Sequence, residues 1–121
     1  MARTAIIGSG FIGRAWAISF ARAGHDVALW DREPEAAPAA RGYIAGVLGD
    51  LAGNDLLNGA DPATVLARIT PVADLGDALA GVAHVQENTP ENLDIKRAVF
   101  AELDALAPPE AVLAGIDELP A

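Results

Sequence analysis

The sequence predicts an α/β fold, a doubly wound parallel sheet of about five strands with helices on both faces. Its 121 residues suit one domain with one core. Its hydrophobic fraction of 52% with 5% aromatics is typical of small helices packed on a buried parallel sheet. Short apolar runs and helix-compatible segments follow each other in the order βαβ-αα-βαβαβ. We therefore expect one domain over residues 1–121.

The first strand, helix and second strand form the most informative unit. Residues 5–7 are a short apolar run, and glycines follow it at positions 8, 10 and 13. A helix is predicted over residues 12–23, with Ile12, Ala15, Trp16, Ser19 and Phe20 at helical spacing, and it ends at Gly24. The second strand, residues 27–31, closes with Asp31. This G-x-G-x-x-G pattern between a strand and a helix is typical of dinucleotide binding.

Each element of this pattern has its own physical role. Gly8 allows a tight turn, Gly10 lets the backbone approach a diphosphate, and Gly13 lets the helix pack on the sheet. The amides around Phe11 and Ile12 are expected to point at the phosphates from the helix N-terminus. The carboxylate of Asp31 can accept the hydroxyls of an adenosine ribose. Glycines that merely turn the chain, and an ordinary solvated Asp31, remain the alternatives.

The middle of the chain predicts two helices and an edge strand. Residues 34–57 are helix-compatible, but glycines at 42, 46, 49 and 53 weaken the prediction of one continuous helix. A short helix follows Asp61, which has the N-cap position. Residues 69–72 form the third strand, and Pro71 within it favours a sheet edge.

The last part of the chain predicts two further strands, each preceded by a helix. These elements are a helix over 75–80, a strand over 82–87, an amphipathic helix over 90–107 and a strand over 111–114. The two tryptophans and two histidines are not expected to take part in binding or catalysis. Trp16, Trp30 and His84 are interpreted as packing residues, and His25 as a surface turn residue.

Composition excludes several classes of function. The chain has no cysteine and two separated histidines, so we expect no disulfide and no metal site. A net charge of −9 disfavours nucleic acid and anionic membranes as partners. The sequence has no signal-like start and no apolar run of the ~20 residues that span a bilayer, so we expect a cytoplasmic protein.

Three segments together resemble one known family. They are GSGFIGRAWA at 8–17, GHDVALWD at 24–31 and VQENTPENLDIK at 85–96. In this order they resemble the NAD-binding, Rossmann-type domain of the 3-hydroxyacyl-CoA dehydrogenase family, most of all its lambda-crystallin-like branch. The resemblance implies hydride transfer to NAD from a secondary 3-hydroxyl, on an acyl-CoA or on a small hydroxy or sugar acid.

The resemblance also implies further site residues. Glu91 and Lys96 match family positions beside the nicotinamide, although an acid at a helix start and a solvated lysine explain them equally well. Asp31 is expected to repel the 2′-phosphate of NADP, which Arg32 beside it partly offsets. An acid in this place also serves FAD, so that cofactor remains an alternative.

The chain departs from the family after its fifth strand. Gly115-Ile116-Asp117-Glu118 stands where the family has a Ser/Thr-rich turn, and the family's catalytic His and its C-terminal helical domain have no counterpart here. We therefore predict a cofactor domain truncated after its fifth strand that binds NAD without catalysis, with no catalytic residue of its own. Its expected partners are the missing helical domain or a second copy of the chain. The alternative is a stand-alone NAD-binding or sensing module that acts through a partner.

Overall fold

A computed structural model describes residues 2–53, 57, 59–88 and 112–115. The elements in chain order are β1 Arg3–Ile7, α1 Phe11–Arg22, β2 Asp26–Trp30, α2 Ala36–Gly53, α3 Pro62–Ala67, β3 Ile69–Pro71, α4 Leu75–Leu79, β4 His84–Glu87 and β5 Val112–Gly115. The five strands form one sheet in the order β3-β2-β1-β4-β5, and every neighbouring pair is parallel. The predicted fold class is therefore confirmed. The helix predicted over 90–107 lies outside the described residues.

The register of the central strands defines where a ligand can bind. Ile7, the last residue of β1, is paired with Trp30 at the end of β2 and with Glu87 at the end of β4. β2, the next strand in the chain, pairs with β1 on one side, whereas β4 pairs with β1 on the other side. In open α/β sheets, ligands bind at the carboxyl ends of the strands at such a topological switch point.

Two apolar cores cover the two faces of the sheet. On one face, α1, α2 and α3 pack against alternate strand residues that include Ile6, Leu29 and Ile69. On the other face, Leu75 and Leu79 of α4 pack against strand residues. Both faces thus carry helices, as predicted.

Two local sequence signals also hold. β3 is an edge strand, as Pro71 predicts, and its Ile69 carbonyl accepts a 2.8 Å hydrogen bond from Nε of Arg41. The Asp61 side chain caps α3 by accepting a bond from the Thr64 amide.

The doubt about one continuous helix in residues 34–57 is wrong, because α2 runs unbroken through 18 residues. Its buried residues, Ala37, Ala40, Ile44 and Leu48, follow helical spacing and face the core. Glycines 42, 46 and 49 lie on the exposed side. Packing of the buried face thus overrides the weak intrinsic propensity of the glycines.

The expected packing face of α1 is also wrong. The structure buries Gly13, Ala17 and Ala21, whereas Ile12, Ala15, Trp16 and Ser19 are exposed and Phe20 is half-buried. The small residues of α1 face the sheet, because their short side chains let the helix lie close to it. Ile12 and Trp16 are left on the outside, whereas Ile18 and Phe20 are half-buried against the core.

Trp30 and His84 are packed as predicted, whereas Trp16, predicted to pack, is exposed. Nε2 of His84 lies 3.2 Å from Oε1 of Gln86, and Trp30 donates to the Ala73 carbonyl. His25 is half-buried rather than a free surface residue, since its ring contacts Phe20 edge-on at 5.6 Å. Within the described part of the chain, no helix is both long enough and apolar enough to cross a membrane.

Candidate dinucleotide site

The turn after β1 requires glycine at its first position. Gly8 has φ +99°, a conformation that side chains disfavour. Its amide donates a 2.8 Å bond to the Trp30 carbonyl at the end of β2. The loop is thereby fixed at the carboxyl edge of the sheet, as the fingerprint predicts.

The other two glycines of the loop differ in what surrounds them. A Cβ on Gly13 would collide with the carbonyl oxygen of Gly8, so a side chain there would push α1 off the loop. A Cβ on Gly10 would meet nothing within 4 Å. The backbone at Gly10 therefore borders open space that a side chain would partly fill.

The N-terminus of α1 is open toward this space. Gly10 is the N-cap, it provides no side-chain cap, and the first turn contains no acidic residue. Helix N-termini leave backbone N–H donors without intrahelical partners, and an anion satisfies them. The Phe11 and Ile12 side chains next to these donors are 75% and 52% exposed.

Asp31 lies directly beside the glycine loop. Its Oδ2 accepts bonds from the Ser9 amide at 2.7 Å and the Ser9 hydroxyl at 2.8 Å, and its Oδ1 accepts from the Glu33 amide at 3.0 Å. Burial by itself raises the pKa of Asp31, but the hydrogen bonds from Ser9, Glu33 and Arg32 outweigh it and hold the pKa below its usual range. The group is therefore an ionised carboxylate at neutral pH, in the place predicted for a ribose-binding acid.

A small cavity adjoins Asp31 and was missed by the sequence analysis. Its volume is about 110 Å³, and it lies between the ends of β2 and β3. Apart from Asp31, it is lined by Pro34, Ala37, Pro38, Pro71, Val72 and Ala73. Pro34 between β2 and α2 and Pro71 at the end of β3 are the signal in the sequence that could have located it. A larger cavity of about 230 Å³ begins beside Arg3 and Asp26 at the amino ends of the strands, away from the loop.

Arg14 is a second residue that the sequence analysis missed. Its Nε donates a 3.0 Å bond to the Ser9 carbonyl, and its guanidinium lies over the rings of Phe11 and Tyr43, 5.3 and 4.7 Å from their centroids. A cation near a helix N-terminus opposes the helix dipole. In the sequence, this unfavourable position for a cation was the signal that could have pointed to Arg14.

Asn88 follows β4 where β1 and β4 diverge. Its amide donates to the Ile7 carbonyl at 2.8 Å, and its Nδ2 lies 3.3 Å from the Gln86 carbonyl. Its Oδ1 is buried and accepts no hydrogen bond from the described residues.

The structure thus brings together Gly8, Gly10, Phe11, Ile12, Gly13 and Asp31 at one edge. Arg32 is exposed next to Asp31, and Glu91 and Lys96 lie outside the described residues. Across the described ranges, no group of three or more His, Cys, Asp or Glu side chains could hold a metal ion. Free amides, an open cradle and a fixed carboxylate are together what a dinucleotide needs.

Comparisons with known proteins agree with this geometry. Residues 3–116 match the profile of the 3-hydroxyacyl-CoA dehydrogenase, NAD binding domain. The chain is 40% identical over 109 residues to lambda-crystallin of Oryctolagus cuniculus, covering 89% of this chain and 34% of that protein. It is 40% identical over 112 residues to an L-carnitine dehydrogenase of Streptomyces griseus, covering 93% of this chain and 32% of that enzyme.

A solved structure shows the same fold. The crystal structure of 3-hydroxybutyryl-CoA dehydrogenase from Escherichia coli K12 superposes with a TM-score of 0.86 at 32% identity, covering 96% of this chain and 24% of that chain. The chain therefore spans about a third of the curated relatives it matches. The profile match covers almost the whole chain, so the chain belongs to the 3-hydroxyacyl-CoA dehydrogenase family as an NAD-binding Rossmann domain.

Proposed function

We propose that this chain is the cofactor-holding part of an NAD-dependent oxidoreductase that oxidises a secondary 3-hydroxyl. The observation that carries the proposal is the ionised Asp31 carboxylate held against a glycine loop with an open cradle. The substrate classes that fit are 3-hydroxyacyl-CoA and small hydroxy or sugar acids, because the relatives include a 3-hydroxybutyryl-CoA dehydrogenase and an L-carnitine dehydrogenase.

Each part of the site has a role toward NAD. The amides of Phe11 and Ile12 donate to the diphosphate above Gly10, and Asp31 accepts from the adenosine ribose. The apolar cavity beside Asp31 takes the adenine ring, since its lining offers flat contact to a base. Glu91 and Lys96 are proposed at the nicotinamide end, and Arg32 at the rim near the ribose.

NAD supplies a hydride acceptor, and the chemistry also needs a base to take the hydroxyl proton. His84 begins β4 and His25 precedes β2, so both lie toward the amino edge of the sheet, opposite the loop. We therefore propose that residues 1–121 bind and orient NAD, while the catalytic histidine and serine come from elsewhere in the protein. On its own the chain is expected to bind cofactor without turnover.

A covering partner fits the surface formed by α1 and α2. Phe11, Ile12, Trp16 and Tyr43 are large apolar or aromatic side chains that are exposed in the described structure. A fragment of an enzyme would expose surface that another domain covers, whereas a free-standing sensor would carry polar residues there. This favours the helical domain of the family, or a second copy of the chain, as partner over the sensing-module alternative.

We place the protein in the cytoplasm, which fractionation of the source cells tests.

Calorimetric titration with NAD and NADP tests the proposal. We expect NAD to bind at least ~10-fold more tightly than NADP, a difference of about 1.4 kcal/mol, because Asp31 repels a 2′-phosphate. The same preparation given NAD and 3-hydroxybutyryl-CoA is expected to form no NADH. An affinity for NADP equal to that for NAD would contradict the assignment of Asp31. Formation of NADH would contradict the cofactor-only role.

A further inference from the structure

Ser9, the residue between the first two glycines, is held at all three of its polar groups. Its amide and its hydroxyl both donate to Oδ2 of Asp31, at 2.7 and 2.8 Å. Its carbonyl accepts from Nε of Arg14 at 3.0 Å. The residue is only 2% exposed, whereas Asp31 is half-buried, so these bonds are partly shielded from competing water. A residue at a freely variable position of the fingerprint is thus among the most constrained residues of the loop.

The bonds from Ser9 determine how Asp31 is oriented. An ionised carboxylate has about four acceptor positions. Two donors from Ser9 occupy Oδ2, the Glu33 amide donates to Oδ1, and the Arg32 amide also donates to the carboxylate. The carboxylate therefore cannot rotate without breaking charge-assisted bonds.

We propose that Ser9 is a positioning residue whose hydroxyl fixes the Asp31 carboxylate and thereby sets the preference of the site for NAD over NADP. This proposal rests on the proposed NAD function of the same site. A carboxylate that can rotate away from the ribose or become protonated tolerates a 2′-phosphate. A carboxylate that is fixed in place and ionised repels it.

The electrostatic surroundings are consistent with this role. Burial raises the pKa of Asp31, and the Ser9 amide, the Glu33 amide, the Ser9 hydroxyl and the Arg32 amide lower it, with a net lowering. The charged groups near this carboxylate are Arg32 and Glu33 on its own loop and Arg14 of α1, which reaches the Ser9 carbonyl. Hydrogen bonds, rather than an ion pair, are thus the causes that keep Asp31 ionised.

The test compares Ser9→Ala with Ser9→Thr, which retains the hydroxyl, and with Ser19→Ala. Ser19 is the other serine of the chain and is exposed on α1, so it is a matched control. The first readout is the pKa of Asp31, measured by NMR of its carboxyl carbon in the cofactor-free chain. We expect a rise of about 0.5 to 1 unit in Ser9→Ala, the loss of one bond to a charged group, and no shift in Ser19→Ala.

The second readout is the ratio of the NAD and NADP dissociation constants. We expect the ratio to fall by about 3- to 10-fold in Ser9→Ala and to return toward the original value in Ser9→Thr. If Ser9→Ala does not fold, Ser9→Cys takes its place, because a thiol is a weaker donor of similar shape.

The outcomes separate this proposal from the function on which it rests. An unchanged Asp31 pKa in Ser9→Ala overturns the positioning role whether or not NAD binds. A changed pKa with an unchanged ratio overturns the selectivity role. If the unmodified chain binds no NAD while the pKa shifts as expected, the proposed function fails and the Ser9 anchor on Asp31 stands.

Discussion

The glycine loop and helix α2 are both rich in glycine, yet the structure uses the residue in opposite ways. In the loop, Gly8 has a positive φ, and Gly13 lies so close to the Gly8 carbonyl that no Cβ fits. In α2, a Cβ on Gly42, Gly46 or Gly49 would meet nothing within 4 Å. The comparison shows that close backbone approach, and not glycine content, marks the functional segment.

Gly10 stands between these two cases. Like the glycines of α2, it borders open space, and its φ of −66° suits any residue. Unlike them, it caps a helix whose first amides have no side-chain partner. Its empty surroundings are therefore interpreted as room for a ligand. Substitutions at the three kinds of glycine are the sharpest way to break the comparison.

Gly13→Ala is expected to have the largest effect. The new Cβ would overlap backbone at Gly8, which has no flexible side chain that could move aside, so α1 must shift. We expect a loss of about 3 kcal/mol in the free energy of unfolding, at the upper end of what overpacking costs. Urea unfolding followed by circular dichroism measures it. Stability equal to that of the original chain would show that α1 and the loop are not closely packed.

Gly10→Ala is expected to separate binding from folding. Nothing in the described structure opposes this methyl group, so the unfolding free energy should change by less than about 1 kcal/mol. The affinity for NAD should fall by at least ~30-fold, because the methyl group occupies the place of the diphosphate. Calorimetry measures the affinity. Full NAD affinity in a folded Gly10→Ala chain would remove the diphosphate from this cradle.

Asp31→Ala is expected to lower the affinity for NAD by about 10-fold, since hydrogen bonds to a charged group are worth about 1.5 to 3 kcal/mol. The chain is expected to stay folded. Asp26→Ala is the matched control, because Asp26 is an exposed acid at the opposite end of the same strand. Both variants are titrated with NAD by calorimetry. Equal affinities in the two variants would place the ribose away from Asp31.

Gly46→Ala is expected to have the smallest effect, and an opposite one. It replaces an exposed mid-helix glycine where a Cβ has room, so it should stabilise the chain by about 0.5 to 1 kcal/mol. NAD affinity should stay unchanged. Thermal unfolding of the variant checks this, and a lower midpoint would mean that this face of α2 is in contact with something.

Much of this architecture could be predicted because its signals are local. The glycine spacing, Asp61 as a cap and Pro71 as an edge marker each act within a few residues, and all three agree with the structure. Helix faces depend on neighbours that the sequence does not show. The bulky residues of α1 predict the wrong buried face, because the sheet admits only the small stripe of Gly13, Ala17 and Ala21.

The candidate site divides along the same line. Asp31 and the three glycines follow from a pattern of fixed spacing, so the sequence locates them. The Ser9 bonds to Asp31 join residues 22 positions apart, and the guanidinium of Arg14 lies over Tyr43 of another helix. Such contacts arise from the tertiary arrangement and have no counterpart in spacing. For this reason the residues that position Asp31 and the cavity proposed for the adenine ring were missed, whereas Asp31 and the three glycines were not.

The most direct test of the account is an NMR titration of the amide-labelled chain with NAD. We predict large shifts at the amides of Ser9, Phe11 and Ile12, and none at Gly42, Gly46 and Gly49, because the diphosphate is bound at the start of α1. Shifts confined to α2, or unchanged loop amides in a folded chain with saturating NAD, would contradict the central claim.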